Sequence, residues 1–146
     1  MQKVLIVEDN IMIADMVEEL LLANSYDVCG IVDTVAQGVA LCREHKPDLA
    51  IIDLRLADGE LGTNMAAQLV PFGKLGILYA TGNISQVQLT LADGHACIAK
   101  PYSAQSLLAG LRLVTQIVEE GHAVPPFPPG FLALLPVSSP VEDRLS

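Results

Sequence analysis

The chain has 146 residues, 51% of them apolar, with 17 acidic against 8 basic side chains and a formal net charge of −9. That length implies one domain with a real core, since a chain of this size hides roughly two-thirds of its unfolded surface. Eight Lys and Arg argue against a nucleic-acid surface, where clustered cations neutralise phosphates, and favour a basic protein partner or a metal cation.

The N-terminal MQKVLIVEDN enters a strand over residues 4–7 and reaches Glu8 and Asp9 too soon to hold the apolar stretch of a signal peptide. Asn10 then predicts an N-cap, followed by a helix with Ile13, Met16, Val17, Leu20 and Leu21 on its inner face. A second strand over 28–32 leads to Thr34 and Gln37, a capping-box pair, and to a helix facing inward with Ala36, Val39 and Ala40 and ending at Pro47. Residues 49–54 are apolar without alternation, which predicts a central strand covered on both faces. The turn-rich ADGELGTN precedes a short helix around 65–70, stopped by Pro71.

Strands four and five are expected over 76–80 and 96–99. Between them Val87, Leu89 and Leu91 alternate with polar residues, a strand period where the topology asks for a helix; a short or mobile helix is expected. The last helix begins near Ser103 and turns Leu107, Leu108, Leu111, Val114 and Val118 inward. Residues 1–120 are thus read as one domain. Residues 121–146 are read as a flexible, polyproline-like tail without an output domain, whose removal after Glu120 leaves the fold intact. Pro125, Pro126, Pro128, Pro129, Pro136 and Pro140 also exclude a bilayer helix from 121–141, the longest segment free of Asp, Glu, Lys and Arg.

The three cysteines, Cys29, Cys42 and Cys97, lack paired spacing and are expected as buried free thiols in a reducing cytoplasm. His45, His95 and His122 share no metal-ligand spacing. His95, preceding the fifth strand, is expected at the sheet edge opposite the strand ends. The acids of the ADGELG loop are wrongly spaced for an EF-hand.

Alternating strands and helices imply a flavodoxin-like, doubly wound sheet of five parallel strands with helices on both faces. In such a sheet the carboxyl ends of the strands share one edge. Asp9, Asp53, Thr81 and Lys100 each follow an apolar run, so they should meet in one crevice. Taken singly, each has an ordinary explanation: an aspartate caps a helix, a threonine ends a strand, a lysine is solvated. Together they describe a phosphoryl-accepting aspartate. Magnesium, or another divalent cation such as manganese, takes hard oxygen ligands, which Asp9 and Asp53 offer, with Glu8 bonding a coordinated water. Asp53 would act as nucleophile on phosphorus while the Lys100 ammonium screens the anionic group and Thr81 hydrogen-bonds a phosphoryl oxygen.

With Glu8 and Asp9, Asp53, Thr81 in YATGN, and Lys100-Pro101 in AKPYS, residues 3–120 resemble the response-regulator receiver domain of bacterial two-component signalling. The resemblance implies that Asp53 receives its phosphoryl group from a sensor histidine kinase or a histidine phosphotransfer protein. It implies that Glu8 and Asp9 organise magnesium, that Arg55 lends its backbone carbonyl to the metal, and that Tyr102 is the aromatic switch residue that turns inward as Thr81 moves to the phosphoryl group. The surface changed would be the fourth helix, fifth strand and fifth helix. The signal would leave through a separate downstream protein from a monomer or weak dimer, with neither nucleic acid nor membrane engaged. The ATG and KPY stretches also look like the alphaproteobacterial "FAT GUY" subgroup, with Tyr79 as the first aromatic and Asn83 and Ile84 departing from its pattern. Pro101 is a candidate cis peptide that would aim Lys100 into the crevice. Two other readings are weighed. A haloacid-dehalogenase-type phosphohydrolase wants a second aspartate where Arg55 stands, and a phosphorylation-independent interaction module would bind partners equally with and without a phosphoryl analogue.

Overall fold

Side-chain oxygens start the long helices. Asn10 accepts from the Ile13 amide, Thr34 from the Gln37 amide and Ser103 from the Ser106 amide, each satisfying a donor that the first helical turn leaves unpaired. Gly121 ends the last helix in the left-handed region, where a residue without Cβ is unstrained. The computed structural model, which describes residues 1–56, 59–69 and 73–137, runs in the order β1 (Lys3–Val7), α1 (Ile11–Ala23), β2 (Asp27–Val32), α2 (Val35–His45), β3 (Leu49–Asp53), α3 (Thr63–Gln68), β4 (Gly76–Thr81), β5 (Ala96–Ala99), α4 (Ala104–Glu120) and β6 (Phe131–Ala133). The expected stop of the third helix at Val70 and Pro71 lies outside the described residues.

The sheet order is β2-β1-β3-β4-β5-β6. The first five strands are parallel, as the sequence predicts for a flavodoxin-like fold, and β6 adds a sixth, antiparallel to β5. Successive residues of the apolar run in β3 face opposite layers. Ala50 and Ile52 join a cluster with Val35, Val39, Met65 and Ala66 of α2 and α3, whereas Leu49 and Ile51 join Ala14, Val17 and Leu21 of α1 and Leu107, Leu111 and Val114 of α4. All five residues of β3 are buried, which is why the run does not alternate.

Several expectations are corrected. In α1 the buried stripe is Ala14, Val17 and Leu21, and Met16 is 67% exposed. In α2 it is Val35, Gly38, Val39 and Cys42, with Ala36 and Ala40 exposed: the stripe is rotated by one position relative to the periodicity read from the sequence. Cys29 is only half-buried, while Cys42 and Cys97 are buried free thiols.

No α-helix connects β4 to β5. A single 3-10 turn, Ile84–Gln86, gives way to irregular chain and a turn at residues 91–93, and Val87, Leu89 and Leu91 lean on the α2/α3-side core. The expected short helix is reduced to that one 3-10 turn, and the alternating apolar residues pack inward without forming a strand. Asp93 reinforces this, accepting from the Thr90 amide at 2.9 Å and closing a turn. The surface expected to include a fourth helix thus consists of this segment, β5, α4 and β6.

The tail departs from the expected polyproline-like extension. Phe131, Leu132 and Ala133 pair with Ile98, Cys97 and Ala96. Ordering each residue costs about 1–2 kcal/mol, more than one net hydrogen bond of about 1 kcal/mol offsets, so apolar contact decides. Leu134 is 5% exposed in the α2/α3-side cluster, and Phe131 packs on the α4-side cluster and tilts against Phe127 with ring centroids 5.2 Å apart. We expect Leu134→Ala to lower stability by about 2 kcal/mol or more in urea denaturation. An unchanged midpoint there, or after truncation at Glu120, would restore the view of the tail as a passive extension.

His95 lies at the amino end of β5, away from the strand termini that carry Asp53, as the sequence suggests. Its Nδ1 accepts from the Ile77 amide at 3.0 Å, which requires an unprotonated nitrogen, and burial lowers its pKa below the ordinary 6.5. The unfolded chain protonates this ring at a higher pH than the folded chain does. In the interval between the two values the unfolded state holds more protons, so stability falls as pH drops below 6.5. An imidazole NMR titration should place His95 below that value; titration at or above it would refute the buried acceptor.

Candidate functional site

Parallel register carries the polar strand ends to one edge. Val7 is opposite Ile52, Asp53 opposite Ala80, and Thr81 opposite Ala99. Glu8, Asp53 and Thr81 therefore follow or end adjacent strands at the same level, and each is buried. Backbone bonds continue the ladder past the strands: Glu8 donates to the Val32 carbonyl at 2.9 Å, Leu54 to Ala80 at 2.9 Å and Lys100 to Thr81 at 2.8 Å. The Lys100-Pro101 peptide is cis, as the sequence suggested.

Asp53 is held at both oxygens. Its Oδ2 accepts from Lys100 Nζ at 2.9 Å and its Oδ1 from the Arg55 amide at 3.3 Å. Lys100 Nζ also lies 3.5 Å from Glu8 Oε1, and Glu8 Oε2 accepts from the Asn10 amide at 3.2 Å. One carboxylate oxygen each from Glu8, Asp9 and Asp53 lies within 4.8 Å of the others. Thr81 Oγ1 accepts from the Asn83 amide at 3.2 Å.

The electrostatics follow from crowding anions in a half-dry crevice. Burial raises the Glu8 pKa from 4.5 to about 7; Asp9 and Asp53 push the same way, against the Asn10 amide and the Lys100 charge. Burial alone would lower Lys100, but its hydrogen bond and attraction to Asp53 and its pairing with Glu8 outweigh this and leave the ammonium's pKa raised. Lys100 is thus a fixed cation among three acids. All three candidate ligands are hard carboxylate oxygens on one side of the crevice, a donor set that suits a divalent cation such as magnesium.

Tyr102 is half-buried against α1 and α4, lining with Lys100 a cleft of about 330 Å³ that also includes Ile13, Met16, Val17 and Leu20. Burial, then the charges of Glu8 and Asp53, push its phenol up to about 12. Arg55 is exposed, and its backbone is pinned by the amide bond to Asp53 and a bridge to Leu61.

Sequence reasoning passed over Gly62. The loop after β3 returns so closely that a Cβ on Gly62 would lie 2.4 Å from the Asp53 carbonyl oxygen and 2.6 Å from Ile52 Cγ2. Only the glycine in ADGELG hinted at this. Tyr79, noted in the sequence only as an aromatic of the YATG stretch, has a buried hydroxyl that donates to the Asp93 carbonyl at 2.8 Å and so ties β4 to the turn before β5.

Residues 4–112 match the response regulator receiver domain family. Among curated proteins, the chain is 27% identical to the chemotaxis protein CheY of Bacillus subtilis over 112 residues, covering 75% of this chain and 93% of CheY. It is 26% identical to the transcriptional regulatory protein PdtaR of Mycobacterium tuberculosis over 122 residues, covering 82% of this chain but only 59% of PdtaR. Among solved structures, the signal receiver domain of a modulated diguanylate cyclase from Desulfovibrio desulfuricans superimposes with a TM-score of 0.69 at 25% identity, covering 84% of this chain and 99% of that domain. The protein belongs to the response-regulator receiver family, whose members act as phosphoacceptor switches in two-component signalling. The phosphohydrolase alternative finds no support in these comparisons.

We expect Gly62→Ala to cost about 1–3 kcal/mol, because neither contact is with the far end of a flexible side chain and the Asp53 backbone must shift. Thermal denaturation measures this. A substitution without effect would mean that the loop does not brace Asp53.

Proposed function

We propose that the chain is a phosphorylation-dependent switch in which Asp53 accepts a phosphoryl group from a phosphohistidine of a sensor kinase or phosphotransfer protein. The observation that carries this reading is the 2.9 Å pair between the Lys100 ammonium and Asp53, set among the carboxylates of Glu8 and Asp9. An Asp53 oxygen attacks phosphorus, the bond from phosphorus to the histidine nitrogen breaks with its electrons leaving on nitrogen, and an aspartyl phosphate results. Lys100 is placed to offset charge on the incoming group, and the Thr81 hydroxyl to bond one of its oxygens. Glu8, Asp9, Asp53 and the Arg55 carbonyl are the groups assigned to hold magnesium or manganese, which would supply charge neutralisation and alignment.

The aspartyl phosphate carries roughly 1.5–2 negative charges if it behaves like other phosphorylated side chains, in place of the single charge of the carboxylate. Thr81 and Tyr102 are assigned to read that change, Tyr102 by leaving or deepening its place between α1 and α4. Ile11, Met12 and Met16 expose an apolar face on α1 beside the crevice, suited to a helical phosphodonor. We take residues 1–120 as the receiver unit and 121–146 as its extension, working in the cytoplasm as a monomer or weak dimer that signals to a separate protein. Among the described residues no helix is long and apolar enough to cross a membrane. The YATG and KPY stretches support placement in the "FAT GUY" subgroup.

Asp53→Asn should abolish kinase-dependent phosphoryl labelling and leave the fold intact by circular dichroism. Lys100→Met should slow labelling without changing its site. Full labelling of the Asp53 variant would assign the phosphoacceptor elsewhere.

A further inference from the structure

The β6 strand touches the same stretch of backbone that positions Lys100. Ala99 donates to the Gly130 carbonyl at 2.9 Å, and the next amide, that of Lys100, donates to Thr81 at 2.8 Å. The end of β5 is therefore clamped between β4 and the tail, one residue from the ammonium that bonds Asp53. The approach is close. Gly130 has φ +76°, and a Cβ there would sit 3.0 Å from Ala99 Cβ and 3.4 Å from Ala99 N.

The other end of the tail strand reaches the segment that replaces a helix between β4 and β5. Leu134 donates to the His95 carbonyl at 3.0 Å, and Leu91 donates to Leu135 at 2.9 Å. Buried Leu134 shares a cluster with Tyr79, Val87, Leu89 and Leu91. On the opposite layer, a Cβ on Gly110 of α4 would lie 3.6 Å from the Phe131 ring. Residues 121–137 contain no Asp, Glu, Lys or Arg, so docking of this segment depends on shape and register and not on ion pairs.

We propose that residues 130–135 form a strap whose docking along β5 is coupled to occupancy of the Asp53 crevice, with Gly130 as the positioning residue. The proposal rests on Asp53 being the phosphoacceptor. A phosphoryl group there recruits Lys100 Nζ and Thr81 Oγ1, and both residues also fix the end of β5 through their backbone bond. Movement of Ala99 that follows has no slack against Gly130, so the strap loosens and frees the face formed by β5, α4 and residues 84–93. Linkage is reciprocal: whatever factor the phosphoryl group removes from strap docking, loss of the strap adds to affinity for the phosphoryl group.

The test is amide hydrogen exchange on the full chain in magnesium, with and without beryllofluoride as the phosphoryl analogue, while fluorine NMR reports the bound analogue. Exchange at Ala99, Leu91 and Leu134 should accelerate about 5-fold or more on binding. Gly130→Val, which forces a Cβ against Ala99, should show the faster exchange without analogue and bind beryllofluoride tighter by a similar factor. Bound fluoride with unchanged or slower exchange at the three amides overturns the strap alone, and so does unaltered analogue affinity in Gly130→Val. Absence of bound fluoride in the wild-type chain overturns the phosphoacceptor reading and the strap with it. The wild-type exchange comparison stands even if Gly130→Val fails to fold.

Discussion

The chemistry of this protein depends on one ammonium among several carboxylates. Lys100 bonds Asp53 and faces Glu8 in a crevice where both acids are buried, so its positive charge offsets the repulsion between two neighbouring carboxylates. It does so incompletely: Glu8 still has a pKa raised to about 7, burial being the largest cause. A divalent cation would complete the neutralisation, and a phosphoryl group would disturb it again. The site is a balance of charges that any ligand tips, which is the property a switch needs.

That balance is maintained by backbone. Each strand delivers its polar residue one step past its last apolar one, and backbone bonds from Leu54 to Ala80 and from Lys100 to Thr81 join β4 to its neighbours on both sides without any side chain. Gly62 closes the loop against the Asp53 carbonyl, so the phosphoacceptor is braced from behind as well as held at both oxygens. Rigid elements hold the reacting groups, and the segment after Thr81 has only a single helical turn.

The edge of β5 carries a strand beyond the five parallel ones. An open strand edge invites pairing with another chain. Here the chain's own β6 occupies it, and its apolar contacts reach both layers through Phe131 and Leu134. The same edge adjoins Lys100, so covering it and positioning the site are served by the same backbone bonds.

Much of this was legible in order. The uninterrupted run in β3, the helix caps at Asn10 and Thr34, the start of the last helix near Ser103, and the four polar residues at strand ends reflect local rules, namely side-chain period, capping and the direction of a parallel strand, which act over a few residues. Those rules sufficed for the five parallel strands and for the meeting of Glu8, Asp9, Asp53, Thr81 and Lys100. They could not rank positions within an apolar helix face, so Met16, Ala36 and Ala40 were placed inside although the packing of α1 and α2 turns them out. Nor could they show that residues 87–93 form no helix or that a proline-rich tail returns as a strand. Both outcomes depend on partners far away in sequence: Leu91 meets Leu135, Leu134 meets Tyr79, and Gly130 fits against Ala99 only once β5 is already in the sheet. Local sequence determined which residues could reach the crevice, and tertiary packing decided what closes the sheet beside it, because edge pairing and side-chain burial are properties of the assembled surface.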